Sequence, residues 1–145
     1  MGLISKVIFW RRRKSVVPVV RLTGIITHSS RLGQRGLSLE VVEPQLKKAF
    51  SIKRAKAVAL IINSPGGSPV QSSLIGQRIR DLATLADVPV LAFCEDVAAS
   101  GGYWLAASAD EIIANPASVI GSVGVVSAGF GFDKAISKLG VERRV

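Results

Sequence analysis

Cysteine and histidine are nearly absent from this 145-residue chain: Cys94 and His28 stand alone. A disulfide scaffold is therefore excluded, as is a zinc centre built from several cysteines or histidines, and no metal site is expected. No apolar run approaches the ~20 residues that a membrane-crossing helix needs. Acids are scarce, 10 against 19 basic residues, for a net charge of +9. More than half of that excess sits in Lys6, Arg11, Arg12, Arg13 and Lys14, where no acid accompanies it. Such asymmetry fits an anionic surface. The chain lacks a zinc finger, an RNA-binding aromatic signature and a glycine-clamp motif, so nucleic acid is not an expected partner. Phosphate-loop and dinucleotide-binding glycine patterns are missing too, and no cofactor is expected.

What remains is the composition of one globular domain, 48% hydrophobic and 20% charged. Residues 1–15 form a separate basic, amphipathic segment. Leu3, Ile4, Val7, Ile8, Phe9 and Trp10 precede the cationic cluster, a pattern that suits a helix lying on a bilayer, a tail docked on its own protein, or a disordered tail. It has no cleavable secretory pattern. Residues 16–145 read as the folded domain. Val16–Gly24 reads as a strand, and Leu39–Phe50 as a helix, with Val42, Leu46 and Phe50 inward and Pro44 taken into its first turn. Ala57–Ile62 is a strand buried on both faces. Ser68 then caps a helix with Gln71 at the capping-box position, and Val70, Leu74, Ile79, Leu82 and Ala86 make its apolar stripe. A strand over Val88–Cys94, a helix over Tyr103–Ala109, a strand over Glu111–Ala114 and a surface helix over Phe132–Leu139 complete the pattern. Strands alternating with helices predict an α/β class with a parallel sheet. The domain is expected to continue beyond Val145.

Two glycine turns stand out. Asn63-Ser64-Pro65-Gly66-Gly67 follows a buried strand, and Ser100-Gly101-Gly102 opens a helix. If they meet, the amides of Gly67 and Gly101 can converge on one oxygen beside the Ser100 hydroxyl. Such an oxyanion hole stabilises a tetrahedral intermediate, at about 3–4 kcal/mol per donor. Each motif alone also has an ordinary use, the first as a turn and the second as a helix cap. No G-x-S-x-G pattern surrounds Ser100.

The segments INSPGGSPVQSSLIGQRIR and PVLAFCEDVAASGGYWLAASADEIIANPASVIGSVGV, in that order, resemble the signal peptide peptidase family SppA, peptidase family S49. The resemblance runs from Val16 to the last residue. It implies a ClpP/crotonase-like spiral of repeated ββα units, here incomplete, and a serine endopeptidase that works through a serine–lysine dyad. It further implies Ser100 as nucleophile, Gly67 and Gly101 as the oxyanion-hole amides, and Ser122 as the residue that orients the lysine. The family's single-domain members place that lysine further along the chain than Val145 reaches. Lys134 and Lys138 come too early, and Lys47, Lys48, Lys53 and Lys56 precede the nucleophile. The 145 residues are therefore expected to be inactive alone.

Clp-type proteases place a histidine near the position of Val125, and His28 does not match it. Cys94, at the end of a buried strand, reads as packing. Tyr103 and Trp104 suit either the floor of a substrate cleft or the core, and Val70 is a candidate pocket residue. The resemblance implies signal peptides or other unfolded peptides as substrate, homo-oligomeric assembly, and the cytoplasm or the cytoplasmic side of a bacterial inner membrane as location, with peripheral contact through residues 1–14. Two other readings stay open: a crotonase-like acyl-CoA enzyme, in which a glycine usually replaces the serine, and a non-catalytic membrane-associated scaffold or degenerate homologue.

Overall fold

The structure is a computed structural model that describes residues 15–28, 36–124, 129 and 131–140. The amphipathic segment 1–14 lies outside the described residues. Among the described residues five strands form one wholly parallel sheet, with order β1-β2-β3-β4 and β5 also on β3. The elements run β1 Val19–Thr23, α1 Leu39–Phe50, β2 Val58–Ser64, α2 Pro69–Ala86, β3 Val90–Ala99, α3 Gly101–Ala107, β4 Glu111–Ala114, β5 Val119–Gly121 and α4 Asp133–Lys138. The expected α/β class with a parallel sheet is observed.

Alternation along the strands builds the core. Val20 and Leu22 of β1, Val58, Leu60 and Ile62 of β2, and Val90, Ala92 and Cys94 of β3 turn inward. They meet Val42 and Leu46 of α1, Ile75 and Ile79 of α2, and Leu105 of α3 in one apolar layer. Truncating one of these, such as Ile75 or Leu105, removes contacts worth about 2–5 kcal/mol.

Four local expectations need correction. Pro44 is the sixth residue of α1 rather than part of its first turn. It leaves the Glu40 carbonyl without an intrahelical donor, and that cost is small because both residues are exposed to water. Gln71 does not close a capping box: Ser68 Oγ accepts the Gln71 N–H at 3.3 Å, but the Gln71 side chain accepts the Leu39 N–H at 2.9 Å. It thereby caps α1 from α2. The buried stripe of α2 is Ser72, Ile75, Gly76, Ile79 and Ala83, while Val70 and Leu74 are exposed. Small residues won this face because α3 approaches it closely.

The strand β3 also runs five residues past Cys94. Glu95 and Asp96 make that stretch look like a loop, yet both are satisfied within the sheet. Arg21 on β1 pairs with Glu95 at 3.0 Å, and Asn63 on β2 donates to Asp96 at 3.0 Å. The extra length lets one edge of β3 carry two strands in succession, β4 at Leu91–Cys94 and β5 at Val97–Ala99. It also delivers the chain to Ser100.

At the opposite end of β3, Asp110 accepts the Val90 N–H at 2.7 Å and pairs with Arg80 of α2 at 2.8 Å. The backbone bond first, and then Arg80, hold its carboxyl below the ordinary range. Its folded pKa thus lies under the unfolded value of about 3.9. The stabilisation is complete above about pH 4 and is lost as the pH falls through the lower folded value. The carboxylate is 44% exposed, so water screens its contribution, to about 1 kcal/mol. Asp110→Asn should lower the melting temperature at pH 7 and shrink the difference between melts at pH 7 and pH 3, as followed by circular dichroism.

Candidate active site

The two glycine turns meet. β3 ends at Ala99 and α3 begins at Gly101, so Ser100 makes the whole strand-to-helix turn, with φ 52° and ψ −118°. A non-glycine residue at positive φ carries about 1–3 kcal/mol of strain and persists only where its surroundings hold it. Here the Ser100 N–H donates to the Gly121 carbonyl at 2.7 Å, which pins the turn to the end of β5. The Ser100 side chain makes no cap to the α3 amides, although it occupies the N-cap position. The cap reading of this serine is thereby excluded.

This is the sharp turn that a G-x-S-x-G motif usually makes, achieved with Ala98 two residues before the serine and Gly102 two after. Ala98 is fully buried. A Cβ on Gly102 would strike the Ser64 carbonyl oxygen, so the helix lies directly on the first turn.

That first turn is built around a side chain the sequence reading passed over. Ser64 is fully buried; its Oγ donates to the Gly24 carbonyl at 2.7 Å and accepts the Gly66 N–H at 3.1 Å. Gly66 follows at φ +93°. A Cβ there would lie 2.6 Å from the Gly101 nitrogen and 2.9 Å from Ser100 Cβ, so only glycine allows the two turns to touch. The Ile26 backbone then bonds on either side of Gly67, donating to the Gly66 carbonyl at 2.8 Å and accepting from the Ser68 N–H at 2.7 Å. That pairing directs the N–H of Gly67 away from Ile26. The N–H of Gly101, at the first position of α3, has no intrahelical carbonyl to reach. Among the described residues neither amide donates to a backbone carbonyl.

Ser100, Gly67 and Gly101 line one cavity of about 90 Å³, together with Pro69, Trp104, Val123 and Gly124. Of the candidate pocket residues, Trp104 is in this lining; Val70 and Tyr103 are not, and Val70 is 66% exposed. Ser122 follows the Ala99–Gly121 pair by one residue, at φ 51°. It is exposed beside the site and outside the cavity lining.

No lysine lines this cavity among the described residues. Lys134 and Lys138 are exposed on α4. His28 is exposed and borders a different cavity with Thr27 and Glu40. Cys94 is buried, and burial pushes its thiol pKa up, away from the reactive thiolate. No group of acids, histidines and cysteines among the described residues could hold a metal ion.

A parallel α/β sheet that ends in a strained serine, packed on a two-glycine turn, is the architecture of a ClpP/crotonase-like fold. A membrane-bound stomatin-specific protease, solved as a serine-to-alanine mutant, shares this fold. Its TM-score is 0.58 at 22% identity, covering 87% of this chain and 59% of that one. Residues 83–145 match peptidase family S49. Protease 4 of Haemophilus influenzae is 41% identical over 96 residues, covering 66% of this chain and 15% of its own length. A putative signal peptide peptidase SppA of Enterococcus faecium is 38% identical over 97 residues, 67% of this chain and 28% of its own. Together these matches support peptidase family S49 for this chain.

A protein of Brucella abortus named Na(+)/H(+) antiporter NhaA is 53% identical over 146 residues, 99% of this chain but 20% of that protein. Among the described residues no helix is long and apolar enough to cross a membrane. The antiporter name describes a protein of which this chain spans a fifth, and transport is not assigned to this chain. The chain spans well under a third of each of these sequence relatives.

Gly66→Ala should destabilise the fold by about 2 kcal/mol or more, because a side chain at this φ is strained and meets the Ser100–Gly101 peptide. Gly124→Ala, where a Cβ meets nothing within 4 Å, should stay within about 0.5 kcal/mol of the parent. Urea unfolding monitored by tryptophan fluorescence separates the two.

Proposed function

We propose that this chain carries the nucleophile and oxyanion hole of a serine endopeptidase. The observation that supports it most is Ser100 itself: strained, uncapped, and on a cavity with the free-facing amides of Gly67 and Gly101. Strain of this kind is retained where a side chain must be presented at a fixed angle. In this reading Ser100 Oγ attacks the scissile carbonyl while a neutral lysine takes its proton. The carbonyl oxygen, now negative, moves between the two amides, each contributing about 3–4 kcal/mol at that moment and little before it. The intermediate collapses to an acyl-enzyme as the protonated amine departs. Water, deprotonated by the same lysine, then releases the acyl group and frees Ser100.

The lysine belongs to a part of the protein outside residues 1–145, in keeping with the cavity lining and the S49 resemblance. To serve as a base near neutral pH it must be desolvated, which brings its pKa from about 10.4 toward 7–8. In this reading Ser122, beside the end of β5, orients it. Signal peptides or other unfolded segments at the cytoplasmic face of a membrane are the proposed substrates, with the basic segment 1–14 in peripheral contact. Self-association into a homo-oligomer is part of the same proposal.

Two forms of the protein test the reading: residues 1–145 alone, and the chain extended through its natural downstream sequence. Both should be offered a serine-directed fluorophosphonate, each beside Ser100→Ala. Labelling confined to the extended form and abolished by Ser100→Ala is expected. Two folded forms that both stay unlabelled, with a lysine present in the extension, would move the assignment to a non-catalytic homologue.

A further inference from the structure

The cavity beside Ser100 has a neighbour, and one side chain separates them. Between α2 and α3 runs a groove of about 370 Å³ lined by Ser73, Gly76, Arg80, Ala107 and Ser108. Trp104 belongs to both linings. Four residues past Ser100, it projects from the same face of α3 one turn along. The rotation of α3 is fixed from its other side, where Leu105 and Ala106 are fully buried.

The indole lies beside Gly76 of α2, at a distance where a methyl group would just touch it. A Cβ at Gly76 would sit 3.4 Å from the ring carbon Cδ1 and 3.6 Å from Nε1. The ring thus flanks α2 with room for a methyl group between them, and it borders both the small cavity and the larger groove. It is half exposed, so no burial in the core accounts for a residue of this size here.

We infer that Trp104 sets the size of the side chain accepted at the residue whose carbonyl is attacked. This rests on the peptidase reading and adds a substrate class to it. The α-carbon is bonded to the attacked carbonyl carbon, two bonds from the oxygen in the oxyanion hole, so its side chain enters the cavity that Ser100, Gly67 and Gly101 line. That space is about 90 Å³, whereas benzene occupies a cavity of about 150 Å³. Glycine, alanine, serine or valine fits; a phenyl ring does not. Removing the indole joins the cavity to the groove and opens room for a large apolar side chain. The groove floor is partly polar: Arg80 reaches the Ser108 carbonyl at 3.4 Å and is held by Asp110. The added room thus admits large apolar side chains such as leucine, methionine or phenylalanine, and tyrosine with its hydroxyl toward the polar floor.

The test uses the full-length protein and β-casein, an unfolded substrate with no fixed cleavage site. Cleavage sites are mapped by mass spectrometry for the parent, Trp104→Ala and Trp104→Phe, and Ser100 is labelled with the fluorophosphonate in parallel. The parent should cut after small residues. Trp104→Ala should raise the share of cuts after leucine, methionine, phenylalanine and tyrosine by about tenfold, within the range that pocket size alone produces. Trp104→Phe keeps a ring in place and should fall between. Labelling of Ser100 with an unchanged distribution of cuts would overturn the role of Trp104 and leave the peptidase reading standing. A parent that neither labels nor cleaves would overturn both.

Discussion

The contact on which this molecule depends is between two stretches of backbone. The turn at Gly66 lies against the Ser100–Gly101 peptide so closely that a single methyl group would not fit between them. That approach places the amides of Gly67 and Gly101 on one cavity with the Ser100 hydroxyl. The surrounding structure serves to hold it. Ser64 bonds the first turn to Gly24, Ile26 grips both neighbours of Gly67, and the Gly121 carbonyl holds the Ser100 N–H. The strained serine is held directly by Gly121 and from below by a first turn that is itself fastened at Gly24 and Ile26.

The sheet explains why those fastenings line up. Its strands are parallel, so β2 and β3 both end at the same edge, and each is followed by a glycine turn leading into a helix. Ligand sites in parallel α/β sheets lie at that carboxyl edge, where helix starts present unpaired amides. The small residues of α2 then let α3 settle near enough for Gly101 to meet Ser72. Packing and site geometry are one problem here: the side chains omitted at Gly66, Gly101 and Gly102 are what bring the helices and turns together.

Much of this was legible in the sequence, and the exceptions have physical causes. Periodicity and turn chemistry located α1 and β4 to the residue, because Leu39–Phe50 has a clean apolar repeat and Asn115-Pro116 stops the strand. The two glycine turns were legible as a pair only through the S49 resemblance, since each also makes an ordinary turn or cap. The tail of β3 was hidden by Glu95 and Asp96, whose partners Arg21 and Asn63 are distant in sequence. The buried face of α2 was misread because apolar count favours Val70 and Leu74, whereas the tertiary approach of α3 selects Ser72 and Gly76. Ser64 carries no pattern signal at all. Its role exists only once Gly24 and Gly66 are brought together in space, and the same holds for the partition that Trp104 makes.

Binding a peptide boronate to the full-length protein and determining the crystal structure tests the central claim most directly, because the tetrahedral boron stands in for the attacked carbonyl carbon. The account predicts a bond from Ser100 Oγ to boron and one boronate oxygen about 2.7–3.1 Å from the nitrogens of both Gly67 and Gly101. An adduct on another residue, or one on Ser100 whose oxygens both face solvent, would contradict it.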